Sequence, residues 1–164
     1  MNTEDIDRGE VLRYLGYGRH EADQAVMGLV EECIAQLLKE AQPRCLYREY
    51  PLILGPEGAV DGGCFQTVSR NLSRNLRDCG QIIVFAATLG TGADHLIQKY
   101  NKLQMSKAVI MQAAATAMIE EYCDQVCTGI REEYESGDRY LRPRFSPGYG
   151  DFPLDRQQRL LDSL

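Results

Sequence analysis

The sequence has no block of lysine and arginine, few histidines and no CxxC pair, and each gap removes a class of function. Across 164 residues, 18 basic side chains face 24 acidic ones for a net charge of −6, which gives phosphate-driven nucleic-acid binding no electrostatic support. With two histidines, and six cysteines at 33, 45, 64, 79, 123 and 127, a zinc site is disfavoured. The closest pair, Cys123 and Cys127, shares one helix face and offers two soft ligands at most. The opening M-N-T-E-D-I-D lacks the cationic, apolar and small-residue order of an export signal. The longest apolar runs, such as I-I-V-F-A-A, fall far short of a membrane span and suit a buried strand. The expectation is a cytoplasmic protein with free thiols and no membrane or nucleic-acid partner.

What is present suits a globule with a real core: 44% of residues are hydrophobic and 26% charged. This length fits one domain, residues 1–164. Val11, Leu12 and Leu15 predict a short opening helix stopped by Gly16 and Gly18. Apolar residues recur every three or four positions over 21–41, predicting an amphipathic helix ended by Pro43. R-C-L-Y-R-E-Y-P-L-I-L alternates as a strand and closes at Gly55-Pro56, and G-P-E-G-A-V-D-G-G follows as a turn region able to form a hairpin. Ser69 caps a predicted helix through Asp78, and Gly80 ends it before the strand Q-I-I-V-F-A-A-T-L.

Two further segments invite functional readings. In T-L-G-T-G-A-D, glycines lie between a strand and a helix starting near Ala93, an order that suits an anion at the helix start as well as a tight structural turn. Neither GxxxxGK[ST] nor GxGxxG can be laid over it. The longest helix is predicted from about 104 to 134, apolar on nearly every side in its first half and amphipathic afterwards. Glu120 and Glu121 lie where it leaves the core, as a solvated pair or as ligands. With helices and strands segregated along the chain, the fold class is α+β.

The stretch R-P-R-F-S-P-G-Y-G-D-F-P, residues 142–153, mounts two arginines, aromatic rings and an acid on a backbone stiffened by three prolines. Arg144 can grip a carboxylate with two hydrogen bonds, and Tyr149 offers a ring face attractive to cations. A ligand carrying a carboxylate and a positive centre suits this pair, with Glu120 or Glu121 as counter-charge; S-adenosylmethionine is such a ligand. The plain alternative is that Arg142 and Arg144 pair with surface acids while the prolines wrap the chain.

R-F-S-P-G-Y-G-D-F-P resembles the Arg-x-x-Pro-Gly-Tyr-Pro signature of the activation (reactivation) domain of cobalamin-dependent methionine synthase, and more closely its small free-standing relatives. D-R-G-E-V-L-R-Y-L-G-Y, V-F-A-A-T-L-G-T-G-A-D and I-E-E-Y-C-D-Q-V-C resemble those stand-alone proteins too, so the likeness spans most of the chain. It implies an α+β domain with a twisted antiparallel sheet and flanking helices. It implies S-adenosylmethionine as ligand, held by Arg144, Ser146, Gly148 and Tyr149, with Glu121 or, by a one-residue shift, Glu120 as the family's helix glutamate. Cobalamin would be carried by a methionine synthase partner, because the DxHxxG motif of cobalamin carriers is missing here, and a flavodoxin-like protein is the implied electron donor. On this reading the chain is a component of the synthase and not a complete enzyme.

Two departures accompany the resemblance. The second proline of the signature is Gly150 here, which is expected to loosen the loop after the tyrosine. The family continues past this motif with further strands, whereas this chain stops at Leu164, leaving a cut chain and a short member both open. Two rival functions are a docking subunit of a corrinoid methyltransferase system that does not bind S-adenosylmethionine, and a thiol redox protein using Cys123 and Cys127.

Overall fold

The computed structural model describes residues 1–164 apart from Arg19, Glu21, Ser136 and Asp138. Its class is α+β, helices with small antiparallel sheets. In chain order the elements are α1 (Arg8–Tyr14), α2 (Gln24–Glu40), β1 (Arg44–Pro51), β2 (Ile53–Leu54), β3 (Ala59–Asp61), β4 (Gln66–Val68), α3 (Arg70–Asn75), β5 (Gln81–Thr88), α4 (Thr91–Leu103), α5 (Met105–Glu135) and α6 (Arg156–Asp162). The chain forms two compact units, Met1–Arg44 with Ala87–Val126, and Cys45–Ala86 with Cys127–Leu164.

The first unit is helical. Asp7 starts α1 by accepting hydrogen bonds from the Gly9 and Glu10 amides, and Gly16 beyond its end takes φ +83, the left-handed turn that stops it. The start expected for α2 at Glu21 lies outside the described residues; the helix begins after Asp23, whose carboxylate accepts from the Val26 amide. Its stripe of Val30, Cys33, Ile34 and Leu37 is fully buried. Against it pack Ala93 of α4 and the apolar half of α5, where Ala108, Met111, Ala113, Ala114, Ala117 and Met118 are buried. The small alanine side chains let neighbouring elements approach this stretch closely.

Lys107 is buried within that apolar stretch. Its Nζ donates to Glu32 Oε1 at 2.6 Å and lies 4.5 Å from the centroid of the Tyr100 ring. The Glu32 hydrogen bond holds the lysine above its ordinary pKa despite its burial. Next to it, burial pushes the Cys33 thiol up to about 11, so this cysteine behaves as a small apolar side chain.

The glycine turn before α4 has a packing explanation. A Cβ on Gly92 would run into the Glu40 carbonyl at the end of α2, and Gly90, at φ +84, packs against Gln42. The Gln42 amide donates to the Leu89 carbonyl at 2.7 Å, fastening the end of α2 to the end of β5. Of the two readings of T-L-G-T-G-A-D, the tight structural turn accounts for both glycines.

The second unit carries the sheets. β2, β3 and β4 form an antiparallel meander in which Val60 pairs with Leu54 and Thr67 on the inward face, and β1 pairs with β5. The single strand expected through Leu54 is interrupted, because Pro51 has no amide to donate and the Leu52 amide turns to the Gly80 carbonyl at 3.0 Å. α3 is shorter than expected: it ends at Asn75, and Asp78 takes φ +66, a left-handed conformation that aspartate tolerates and a helix does not contain. Leu52, Val60, Phe65, Leu72 and Phe152 make the core of this unit.

Candidate functional site

The segment 142–153 is fastened to the second unit at both ends. At its start, Arg142 Nη2 donates to the Arg77 carbonyl at 3.1 Å, and Asn75 Nδ2 donates to the Pro143 carbonyl at 3.2 Å. At its end, Phe152 is buried against Phe65, ring centroids 5.7 Å apart, with Phe145 at 6.4 Å. Between them the backbone closes on itself, with Gly148 N–H on Phe152 O (2.8 Å), Tyr149 N–H on Ser146 O (3.1 Å) and Phe152 N–H on Tyr149 O (2.9 Å). The loop is therefore hydrogen-bonded as well as proline-braced.

Asp151 holds the turn onto α3. Its carboxylate accepts from the Ser69 hydroxyl, from the Arg70 amide at 2.8 Å and from the Asn71 amide at 3.1 Å. Ser69 in turn caps α3 by accepting from the Leu72 amide at 3.0 Å. The Ser69 hydrogen bond, followed by the two amides, keeps the Asp151 carboxyl below its ordinary pKa. Sequence reasoning identified Ser69 as a cap but missed Asp151, whose partner lies 82 residues away.

This arrangement corrects the expectation that Gly150 loosens the loop. Gly150 takes φ +54 and sits against the Asn71 side chain. Proline, fixed near φ −65°, cannot adopt that conformation. The glycine is what allows Asp151 to turn onto α3.

Arg144, Ser146, Gly148 and Tyr149 come together on this one loop, Gly148 at φ +94. Arg144 and Ser146 are exposed, and Tyr149 is 62% exposed with its ring centroid 6.1 Å from that of Phe145. A guanidinium and an aromatic face on a preformed surface can take a carboxylate and a cation with little ordering cost. Glu120 and Glu121 belong to the first unit, half-buried on α5, and Glu121 Oε1 accepts from Gln125 Nε2 at 3.0 Å. Cys123 and Cys127 are half-buried and in no disulfide.

Sequence reasoning also missed a polar cluster at the end of α5. The Tyr134 hydroxyl donates to Glu49 at 2.7 Å, Arg139 Nη2 donates to the same carboxylate at 2.7 Å and to Gln81, and the Arg139 guanidinium lies 4.6 Å from the Tyr134 ring centroid. The Glu49 hydrogen bond, reinforced by burial, pushes Tyr134 up to about 12, while Arg139 and then Tyr134 hold Glu49 below its ordinary value. Two open cavities share Tyr134 and Arg139, one of about 290 Å³ reaching Glu133 and Gly137, the other of about 200 Å³ reaching Cys79, Ile83 and Tyr140. Both are below the ~300–1,000 Å³ of a formed small-molecule pocket, the second by about a third, and neither is lined by the four loop residues. Among the described residues, no helix is long and apolar enough to cross a membrane.

No protein-family model matches this chain, and no curated protein matches it.

Proposed function

We propose that this protein is an S-adenosylmethionine-binding accessory module for cobalamin-dependent methionine synthesis, serving the reductive methylation of cobalamin on a partner protein. The observation that supports the reading is the loop 144–153, which bears the R-x-x-P-G-Y signature and is held at Asp151 and Phe152 while Arg144 and Tyr149 stay exposed. The proposal extends to the fold: an activation-like domain spanning residues 1–164, with a twisted antiparallel sheet and flanking helices.

When bound, S-adenosylmethionine supplies an activated methyl group on a sulfonium. The residues of this chain bind and orient. Arg144 takes the carboxylate of the methionine moiety through its planar fork, Ser146 and the Gly148 backbone offer polar contacts, and the Tyr149 ring faces the cation. A protein of this kind contributes orientation and electrostatic fit, with no general acid or base of its own. Cobalamin stays with the partner synthase module, and a flavodoxin-like protein is the proposed donor of electrons.

One observation favours a second reading, a docking subunit of a corrinoid methyltransferase system without S-adenosylmethionine binding: the loop groups stand outside the two cavities at Tyr134 and Arg139. Calorimetric titration of the full folded chain with S-adenosylmethionine decides between them. Saturable heat at one ligand per chain supports the module. A folded sample giving no heat rejects it in favour of docking.

A further inference from the structure

The corner between α4 and α5 carries exposed lysines and exposed apolar side chains close together in the sequence. From residue 95 to residue 119 there is no aspartate or glutamate, yet three of the chain's four lysines, Lys99, Lys102 and Lys107, fall there. Lys107 is buried on Glu32, which leaves Lys99 and Lys102 as the exposed charges, one turn apart on α4. Beside them three large apolar side chains face solvent: Leu103 at 70%, Met105 at 67% and Val109 at 53% exposure. Met105 and Val109, four apart on α5, share a face, and exposed Gln112 continues it.

Burial inside the unit does not require these side chains. α5 already presents Ala108, Ile110, Met111, Ala113 and Ala114 to the core, so Met105 and Val109 form a second, outward apolar face. Single exposed apolar residues are ordinary; three within seven residues, preceded by two exposed lysines of an acidic chain, are the pattern of an interaction surface. The exposed methionine suits a partner to which the surface must adapt.

We propose that the Leu103–Met105–Val109 corner docks an acidic amphipathic helix of a partner protein, its apolar side seated on these residues and its carboxylates meeting Lys99 and Lys102. The charge pattern selects this occupant. A lipid headgroup surface calls for clusters of roughly four to eight basic residues, and two exposed lysines on a chain of net charge −6 do not supply them. A helix needs only apolar anchors at i, i+3 or i+4 and i+7 with acids on its flanks, which two lysines and a short apolar stripe match. The surface lies wholly in the first unit and is independent of the ligand proposed for residues 144–149.

The test uses the full chain, isotope-labelled, titrated with a synthetic helical peptide bearing leucines at i, i+3, i+4 and i+7 and glutamates on the flanks. Saturable amide shifts centred on residues 99–112 are expected. A peptide with lysine in place of each glutamate should bind weaker by on the order of tenfold or more. Val109→Glu, an exposed position, should abolish the shifts without lowering the melting temperature, and Lys99→Glu with Lys102→Glu should reverse the charge preference. Absence of saturable shifts, equal binding of the two peptides, or shifts centred elsewhere overturns the proposal. So does binding to phosphatidylserine vesicles in place of the peptide, or a concentration-dependent dimer that Val109→Glu dissolves.

Discussion

The Asp151 carboxylate accepts a hydrogen bond from the Ser69 hydroxyl, and Ser69, 99% shielded from solvent, caps α3 with the same oxygen. One side chain thus serves two elements far apart in sequence. Ser69→Ala removes the cap and the tie together. The variant should lose about 1–2 kcal/mol in urea unfolding. A change within error would mean that the backbone amides alone hold Asp151.

The same contact sets an acid limit. Asp151 titrates below the ordinary value of about 3.9 because its folded carboxylate accepts three hydrogen bonds. A depressed folded pKa contributes stability that is complete above the unfolded value and is lost as pH falls through the folded one. Urea midpoints of the parent and of Asp151→Asn should therefore lie well apart near pH 6 and converge below about pH 4. A gap independent of pH would show that charge on Asp151 is immaterial.

Gly150→Pro restores the second proline of the signature and should harm the protein. The native φ of +54 is closed to proline, so the turn must open and Asp151 must leave α3. Faster proteolysis within the loop and a lowered melting temperature are expected. Equal or greater stability would mean that a second loop conformation satisfies Asp151.

The elements that could be read from sequence were those whose period repeats. Val30, Cys33, Ile34 and Leu37 advertise α2 over several turns, and the alanine-rich run of α5 can only be interior. The short strands were harder to place: β3 and β4 have three residues each, too few to display alternation, and only the glycine turn marked the β2–β3 hairpin. Long-range polar pairs left no local trace. Lys107 sits in an apolar run with its partner Glu32 75 residues away, and Tyr134 finds Glu49 85 residues away. Of the candidate site, the four loop positions were legible as one stiff segment, whereas what anchors that segment was not.

Gly92→Ala tests the glycine turn of the first unit. Its Cβ would meet the Glu40 carbonyl, with the carbonyl carbon at 3.1 Å, and backbone cannot swing aside as a flexible side chain can. A loss of about 1–3 kcal/mol is expected, as for other overpacked sites, although alanine favours the helix. If thermal melting is unchanged, the close approach of α2 and α4 is relaxed at little cost.

Arg144 carries the most direct consequence of the proposed ligand. Removing a guanidinium that forks onto a carboxylate should weaken S-adenosylmethionine binding by about 1.5–3 kcal/mol, roughly ten- to a hundredfold in Kd. Arg144→Lys keeps the charge but loses the planar fork, so its affinity should fall between those of the parent and Arg144→Ala. Tyr149→Phe retains the ring face and should cost less than Tyr149→Ala. Melting temperatures of each variant, measured alongside, separate lost contact from lost fold. Equal calorimetric affinities across the four variants and the parent would remove the loop from the site and leave the signature without a ligand to hold.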